Sequence, residues 1–194
     1  MIQPPLPLYP SSMSRLLYIF IFSAVLSCGL GDTNPTKAPI KLAIPDYPPT
    51  TFAGDSQVAY RSVQQTIEQF TANRNPDGSI QPTLAPKLIS DVLGFLEQFP
   101  NAENAENLVF RAAELLDYAG EHNNAAKLYF LQTQTFPKSE KRGTAQLHLA
   151  QLLDKQLGRQ PEAVTAYRVF LTQYPDHPLI GTGESLLYDI LRYQ

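Results

Sequence analysis

The chain has 194 residues, a single cysteine and a formal charge of −3 at neutral pH. One cysteine excludes an intrachain disulfide framework and a zinc site built from cysteines. The mild acidity gives no electrostatic reason to expect a nucleic acid partner, because phosphate binding needs clustered lysine and arginine. The largest basic group lies in one loop and consists of Lys138, Lys141 and Arg142.

Residues 1–27 have the pattern of a secretory signal peptide. Arg15 precedes an apolar run over residues 16–26, and the small residue Ser27 follows it. A permanent transmembrane helix needs about 20 apolar residues, so this run is too short to span a bilayer, whereas its length suits a removable signal. Residues 1–12 are rich in proline and unlike a usual signal start, so Met13 is a second candidate for the true start.

The sequence Val25-Leu26-Ser27-Cys28 resembles the lipobox of bacterial lipoproteins. The resemblance implies that Cys28 becomes the first mature residue and carries diacylglycerol and an amide-linked acyl chain such as palmitate. The alternatives are an ordinary signal peptide with a chance cysteine and an uncleaved anchor. Gly29 follows the cysteine, which resembles sorting to the outer membrane, so we expect an anchor in that membrane with the protein facing the periplasm.

Residues 28–56 are predicted to form the lipidated cysteine and an extended tether. Proline resists helix formation and removes backbone donors, and this segment contains Pro35, Pro39, Pro45, Pro48 and Pro49. Residues 40–44 are apolar enough either for a short strand or for a linker that docks on the domain. The remaining residues, 57–194, are predicted to form a helical-repeat domain.

Apolar residues from residue 57 onward recur at helical spacing, with breaks at glycine, proline, asparagine or aspartate. The first helix is predicted to begin at residue 57 and to end at the breaker over residues 73–78. Further helices are predicted over residues 84–99, 102–120, 123–136, 138–158, 161–174 and 179–192. No alternation of period two is present, so the predicted fold class is all-α.

An internal repeat is the most informative feature of the helical region. Three helices end in an aromatic residue and a proline, at residues 99–100, 136–137 and 174–175, which gives periods of 37 and 38 residues. Two units share the order small residue, Gly, Ala, Tyr and Pro: Ala113, Gly120, Ala125, Tyr129 and Pro137, then Ala150, Gly158, Ala163, Tyr167 and Pro175. The second unit has one extra residue before its glycine. A fixed period in this range is typical of a solenoid built from helix pairs.

This order resembles the tetratricopeptide repeat. The resemblance implies a right-handed solenoid of antiparallel helix pairs, with about three units and a capping helix over residues 179–192. Gln132 and Phe170 stand where the family usually has alanine, and the period exceeds the family's usual length. The longer period is similar to that of repeat lipoproteins in bacterial outer-membrane assembly and cell division.

In tetratricopeptide proteins, the first helix of each pair lines a concave groove that holds a partner. Aligning Ala113 with Ala150 and carrying that face over implies a partner-binding groove formed by Asn107, Phe110, Glu114, Asp117, Gln151 and Asp154. This face is acidic and rich in amides, so it would suit a peptide segment bearing lysine or arginine. The alternative is a solvated helix face without a partner.

No catalytic motif is present. His122, His148 and His177 lack the spacing of a metal-binding helix, and no serine lies in a nucleophile-elbow motif. We therefore expect no enzyme activity, no metal, no cofactor beyond the covalent lipid and no small-molecule substrate. The expected function is a membrane-tethered scaffold or adaptor for other envelope proteins.

Two alternatives to the adaptor remain. One is a structural subunit of an outer-membrane assembly or transport machine. The other is a peptidoglycan- or carbohydrate-binding module; the chain has no tryptophan for such a module, but six tyrosines could stack on sugars, namely Tyr60, Tyr118, Tyr129, Tyr167, Tyr188 and Tyr193.

Overall fold

The computed structural model describes residue 40, residues 42–43 and residues 46–192. The chain divides into two units, Met1–Thr36 and Lys37–Gln194, and the whole of the first lies outside the described residues. The predicted signal peptide and Cys28 therefore lie outside them as well.

Seven α-helices make up the described part of the second unit. They are α1 (Ser56–Ala72), α2 (Ala85–Gln98), α3 (Ala105–Tyr118), α4 (His122–Thr135), α5 (Arg142–Gln151), α6 (Gln160–Gln173) and α7 (Ile180–Arg192). A short 3₁₀ turn, Pro82–Leu84, precedes α2, and a π-helical turn, Leu152–Gln156, continues α5. The described residues hold no strand beyond one isolated bridge between Arg74 and Ile80. The predicted all-α class is confirmed for them, and none of their helices has the length and apolar character needed to cross a bilayer.

Local hydrogen bonds and glycine determine where the helices begin and end. Asp55 caps α1, since its Oδ1 accepts hydrogen bonds from the backbone N–H groups of Gln57 and Val58 at 3.0 Å each. Gly120 closes α3 with a φ of +79°, a conformation that a side chain would strain. The N–H of Glu121 then donates to the carbonyl of Leu116 at 2.8 Å, which satisfies a carbonyl at the helix end.

The extra residue of the second unit is absorbed by the π-helical turn Leu152–Gln156. The N–H of Leu157 donates to the carbonyl of Leu152 at 2.9 Å, and that of Arg159 to the carbonyl of Leu153 at 2.7 Å. The second bond spans one residue more than the corresponding bond between Glu121 and Leu116. Gly158 nevertheless has the positive φ of Gly120, at +62°. A wider turn therefore lets both units end in the same way despite the insertion.

Each helix packs mainly against the helices next to it in sequence, as expected of a helical repeat. The four repeated alanines, Ala113, Ala125, Ala150 and Ala163, are fully buried. Tyr129 and Tyr167, which follow the second alanine of each unit, are among the largest fully buried side chains. Small residues thus let the helices approach, while the tyrosines fill the space between them.

A compensating glycine explains one departure from the family pattern. Phe170 stands where alanine is usual and is fully buried. A Cβ on Gly183 of α7 would lie 2.7 Å from the Phe170 ring, closer than van der Waals contact permits. The space required by the larger side chain on α6 is thus provided by the missing side chain on α7.

The proline-rich segment before α1 is docked on α2. Thr50 donates its N–H to the carbonyl of Ser90 at 2.9 Å and its hydroxyl to Asp91 Oδ1 at 2.6 Å. Gln98 joins the segment from the other side: its Nε2 donates to the carbonyl of Thr50 at 2.9 Å, and its Oε1 accepts from the N–H of Phe52 at 3.1 Å. We call residues 46–52 the docked segment.

Apolar burial extends this docking toward the N-terminus. Tyr47 and Phe52 pack against the core, Ile40 is half-buried against it and Leu42 is buried in it. Residues 40 and 42–43 form no strand, so the docking alternative describes them better than the strand alternative. The packed part of the chain therefore begins before residue 57, the predicted boundary, because these apolar side chains find cover on the helices.

Candidate protein-binding surface

The six residues of the predicted groove lie on α3 and on α5 with its π turn. Asn107 is exposed, and Glu114, Asp117 and Gln151 are half-buried. Phe110 is only 7% exposed, and the side chain of Asp154 only 5%. The surface that a partner could touch is therefore formed by the four more exposed residues, whereas Phe110 and Asp154 lie beneath it. We call Asn107, Glu114, Asp117 and Gln151 the acidic face.

An aromatic cluster lies under the acidic face and joins three helices. Phe110 of α3 meets Tyr129 of α4 edge to face, with ring centroids 5.6 Å apart. His148 of α5 stacks on Tyr129 at 5.2 Å and lies 6.4 Å from Phe110. His148, considered from the sequence only as a metal ligand, is part of this cluster. Its position one helical turn before Gln151 was the only sequence signal that placed it near the predicted groove.

Burial keeps the cluster uncharged at neutral pH. Burial lowers the pKa of His148 below its ordinary value, although Asp117, Glu114 and a hydrogen bond with Gln151 act in the opposite direction. Burial also raises the pKa of Tyr129, and the charges of Glu114 and Asp117 add to that effect. The imidazole is therefore mainly neutral at pH 7 and serves as a flat packing surface for the tyrosine ring.

Lys141 covers the cluster from the loop before α5. Its Nζ lies 5.2 Å from the centroid of the Phe110 ring and donates to Asn107 Oδ1 at 2.7 Å. Sequence reasoning placed Lys141 only in a short basic loop, because nothing local indicates that its side chain reaches back 34 positions to α3. The ammonium group thus forms a cation–π contact and a hydrogen bond at one end of the acidic face.

Each predicted acidic residue has a cationic or histidine neighbour. A Glu114 carboxylate oxygen lies 3.5 Å from Arg111 Nη1, and Asp117 Oδ1 lies 2.8 Å from His122 Nδ1. Asp154 Oδ2 lies 2.9 Å from Lys155 Nζ. The last pair is an ion pair in poor hydrogen-bond geometry, since this buried oxygen makes no hydrogen bond. The other two pairs, Glu114 with Arg111 and Asp117 with His122, are partly exposed. Such pairs contribute about 0–1 kcal/mol, so a partner could exchange these two at small cost.

Within the described ranges, no group of three or more His, Cys, Asp or Glu side chains could hold a metal ion. His177 serves its own turn instead: its Nδ1 accepts from the N–H of Leu179 at 3.2 Å, and its ring meets Phe170 edge to face at 5.2 Å. Gly143 leaves room for this ring, since a Cβ there would lie 2.7 Å from it.

Residues 144–177 match the tetratricopeptide repeat. Neither the curated proteins nor the solved structures gave a match to the chain. The matched range begins within α5, includes the π turn and α6, and ends at the His177 turn.

The match confirms the repeat part of the sequence interpretation. The preceding pair, α3 and α4, has the same buried alanines, the same positive-φ glycine and the same buried tyrosine as the matched pair. Tetratricopeptide repeats generally mediate protein–protein interactions through the surface that their stacked helices form. The acidic face on α3 and α5 spans the matched repeat and the pair before it.

Proposed function

We propose that this chain is a membrane-tethered module that binds other proteins of the bacterial cell envelope. The observation that carries the proposal is the tetratricopeptide match over residues 144–177, supported by the equivalent pair α3 and α4 beside it. In this proposal, the helix pairs form a right-handed solenoid of about three units, and α7 caps it. The tether is the lipid on Cys28, placed at the periplasmic side of the outer membrane.

The partner surface in this proposal is the acidic face, and the partner presents a segment with lysine or arginine. Glu114 and Asp117 are half-buried, and their own neighbours, Arg111 and His122, form pairs of low net energy. A basic segment would replace these pairs with its own and would gain the amides of Asn107 and Gln151. Electrostatic complementarity of this kind favours encounter and suppresses acidic competitors.

One observation favours the alternative of a structural subunit in an assembly or transport machine. Leu179, just before α7, and Tyr188 and Leu191 within it are exposed, with Tyr188 at 63%. A fixed neighbour would cover this helix in a stable complex. The carbohydrate-binding alternative has less support, because two of the tyrosines that it would use, Tyr129 and Tyr167, are buried.

Reversing the charge of the acidic face should abolish partner capture. A photo-crosslinking aromatic residue is placed at Tyr118, which is 80% exposed one helical turn after Glu114. We expect one dominant envelope protein in the adducts from cells, identified by mass spectrometry. The double variant Glu114→Lys, Asp117→Lys should reduce the adduct at least about tenfold, since like charges facing each other cost more than 1.4 kcal/mol.

The matched control is Glu68→Lys with Glu97→Lys, which changes the net charge equally through exposed acids of α1 and α2. This control should leave the adduct unchanged, and circular dichroism should show that both double variants are folded. An adduct equally strong in both double variants would contradict the proposed surface. No adduct from a folded, membrane-bound protein would contradict the proposed function.

Removing the lipidation site should release the protein from the membrane. Each buried methylene contributes about 0.8 kcal/mol to membrane binding, so two or three acyl chains hold a protein firmly. We expect Cys28→Ala to move the protein to the soluble fraction or to leave an unprocessed precursor, without incorporation of labelled palmitate. Ser27→Ala keeps a small residue before Cys28 and should remain lipidated. Processed Cys28→Ala protein that still pellets with membranes would contradict lipid anchoring.

A further inference from the structure

One cation already occupies the acidic face. The Lys141 ammonium lies over the Phe110 ring at 5.2 Å and donates to Asn107 Oδ1 at 2.7 Å. The ring beneath it is held by its edge-to-face contact with Tyr129 and by His148, so its position does not depend on Lys141. This preformed aromatic floor with an amide acceptor at its rim is a binding site for a positively charged side chain.

The site is open to exchange. Lys141 is half-buried and comes from the loop before α5, and its ammonium forms no ion pair with an acid among the described residues. A cation–π contact at such a partly exposed position is weak, as is one hydrogen bond measured against water. A lysine or arginine from another protein could provide the same contacts, together with charge interactions with Glu114 and Asp117.

We propose that the Phe110–Asn107 site anchors a lysine or arginine side chain of a protein partner, and that Lys141 occupies this site in the free protein and competes with the partner. This inference rests on the proposed function, since it names the residue by which a basic partner is held. Lys141 then sets the affinity, because the partner must displace it before its own cation can reach the ring.

Another explanation is that Lys141 only links the α5 end of the surface to α3. The two roles predict opposite changes in the affinity for a basic segment when the Lys141 ammonium is removed. Loss of a link loosens the surface and weakens binding of a basic segment. Loss of a competitor strengthens that binding and leaves the fold unchanged.

The test compares Lys141→Met with Lys138→Met in the full mature chain. Methionine keeps the apolar stem over Phe110 and removes the charge. Lys138 is exposed in the same loop, whereas the cation over Phe110 is Lys141, so the Lys138 variant reproduces the change in net charge alone. The probe is a fluorescein-labelled hexalysine peptide, and fluorescence anisotropy at about 0.15 M salt, where exposed charges are screened beyond about 8 Å, measures its Kd.

We expect Lys141→Met to bind the peptide about three- to tenfold more tightly than the unmodified protein, from the loss of one weak competing contact. Lys138→Met should gain less than about twofold, because exposed charges are screened. Equal gains in both variants, or weaker binding by Lys141→Met, would overturn the inference while the proposed function stands. No binding by any of the three proteins, together with no adduct from Tyr118, would overturn both.

A second measurement follows Lys141 itself. The ring current of Phe110 should shift the ε-methylene protons of Lys141 upfield in an NMR spectrum of the free protein. Saturating peptide should return them toward the values of a free lysine, as expected for displacement. A peptide that binds while these resonances stay in place would show that its cation lies elsewhere and would overturn the inference.

Discussion

Replacing Gly94 with alanine is expected to detach the docked segment from α2 and to lower the free energy of unfolding by about 2–3 kcal/mol. Gly94 lies within α2, and a Cβ there would be 2.0 Å from the carbonyl oxygen of Thr50. No rotation of a methyl group relieves such a clash with backbone atoms. The segment must therefore move, and the three hydrogen bonds made by Thr50 with Ser90, Asp91 and Gln98 are lost together.

The loss of unfolding free energy in Gly94→Ala is limited by the hydrogen bonds that Asp91 keeps. Asp91 is nearly fully buried but keeps two partners, the Thr66 hydroxyl and the Lys87 ammonium, each at 2.6 Å from Oδ2. The buried carboxylate thus stays hydrogen-bonded, which avoids the larger cost of an unpaired charge. Alanine also favours the helix by about 0.5–1 kcal/mol over glycine. The net loss is therefore the docking free energy of the segment and not the stability of the domain.

Gly181→Ala is the matched control. Gly181 is also within a helix, but a Cβ there would meet nothing within 4 Å, so this variant should be as stable as the parent or slightly more stable. Urea unfolding gives the two free energies, and limited proteolysis within residues 46–52 should be faster only in Gly94→Ala. If Gly94→Ala unfolds like the parent and resists proteolysis equally, the docked segment does not hold α2 as described.

The helices were predictable because their signals are local. Periodic apolar residues between breakers predicted all seven helices of the described part, and most ends lie within a few residues of the predicted ones. The one-residue insertion before Gly158 was visible in the sequence, but its form as a π turn was not. A loop of one more residue would fit the sequence equally well, and only the packing of Leu152 and Leu153 in the core favours a wider helical turn.

The features of the candidate surface that sequence reasoning missed depend on distant residues. The contact of Lys141 with Phe110 and the docking of Thr50 on Asp91 join positions 31 or more residues apart. Burial of Phe110 was missed for the same reason, since the alignment placed it on the predicted groove face but could not show that His148 and Lys141 cover it. Family resemblance thus indicates a candidate surface, whereas tertiary contacts decide which of its atoms are exposed.

Tyr167→Ala should destabilise the domain by about 3–5 kcal/mol, as do other large buried aromatic residues replaced by alanine. Tyr167 lies on α6 of the matched repeat and is fully buried, and total stabilities of about 5–15 kcal/mol are usual. We therefore expect a large drop in the midpoint of thermal unfolding, measured by circular dichroism.

Tyr167→Phe keeps the ring and removes only the hydroxyl, so it isolates the contribution of the hydroxyl to stability. We expect this variant to be as stable as the parent or more stable by up to about 1 kcal/mol. The reason is that the hydroxyl is buried and makes no hydrogen bond within the described part of the chain, so removing it leaves no partner unsatisfied. Burial, with the charge of Asp154, also raises the pKa of Tyr167. The folded state then keeps this phenol protonated while the unfolded chain ionises near pH 10, so stability is lost as the pH rises above that value.

The phenylalanine variant should therefore lose less stability than the parent between about pH 9 and pH 11, since one of the buried phenols no longer titrates. Urea midpoints at the two pH values measure the difference. Tyr118→Phe is the control, because it removes the hydroxyl of a tyrosine that is 80% exposed in place of a buried one. A Tyr167→Phe protein that is clearly less stable than the parent at pH 7 would mean that the hydroxyl has a stabilising partner, and that the tyrosine of this repeat is chosen for its hydrogen bond as well as its size.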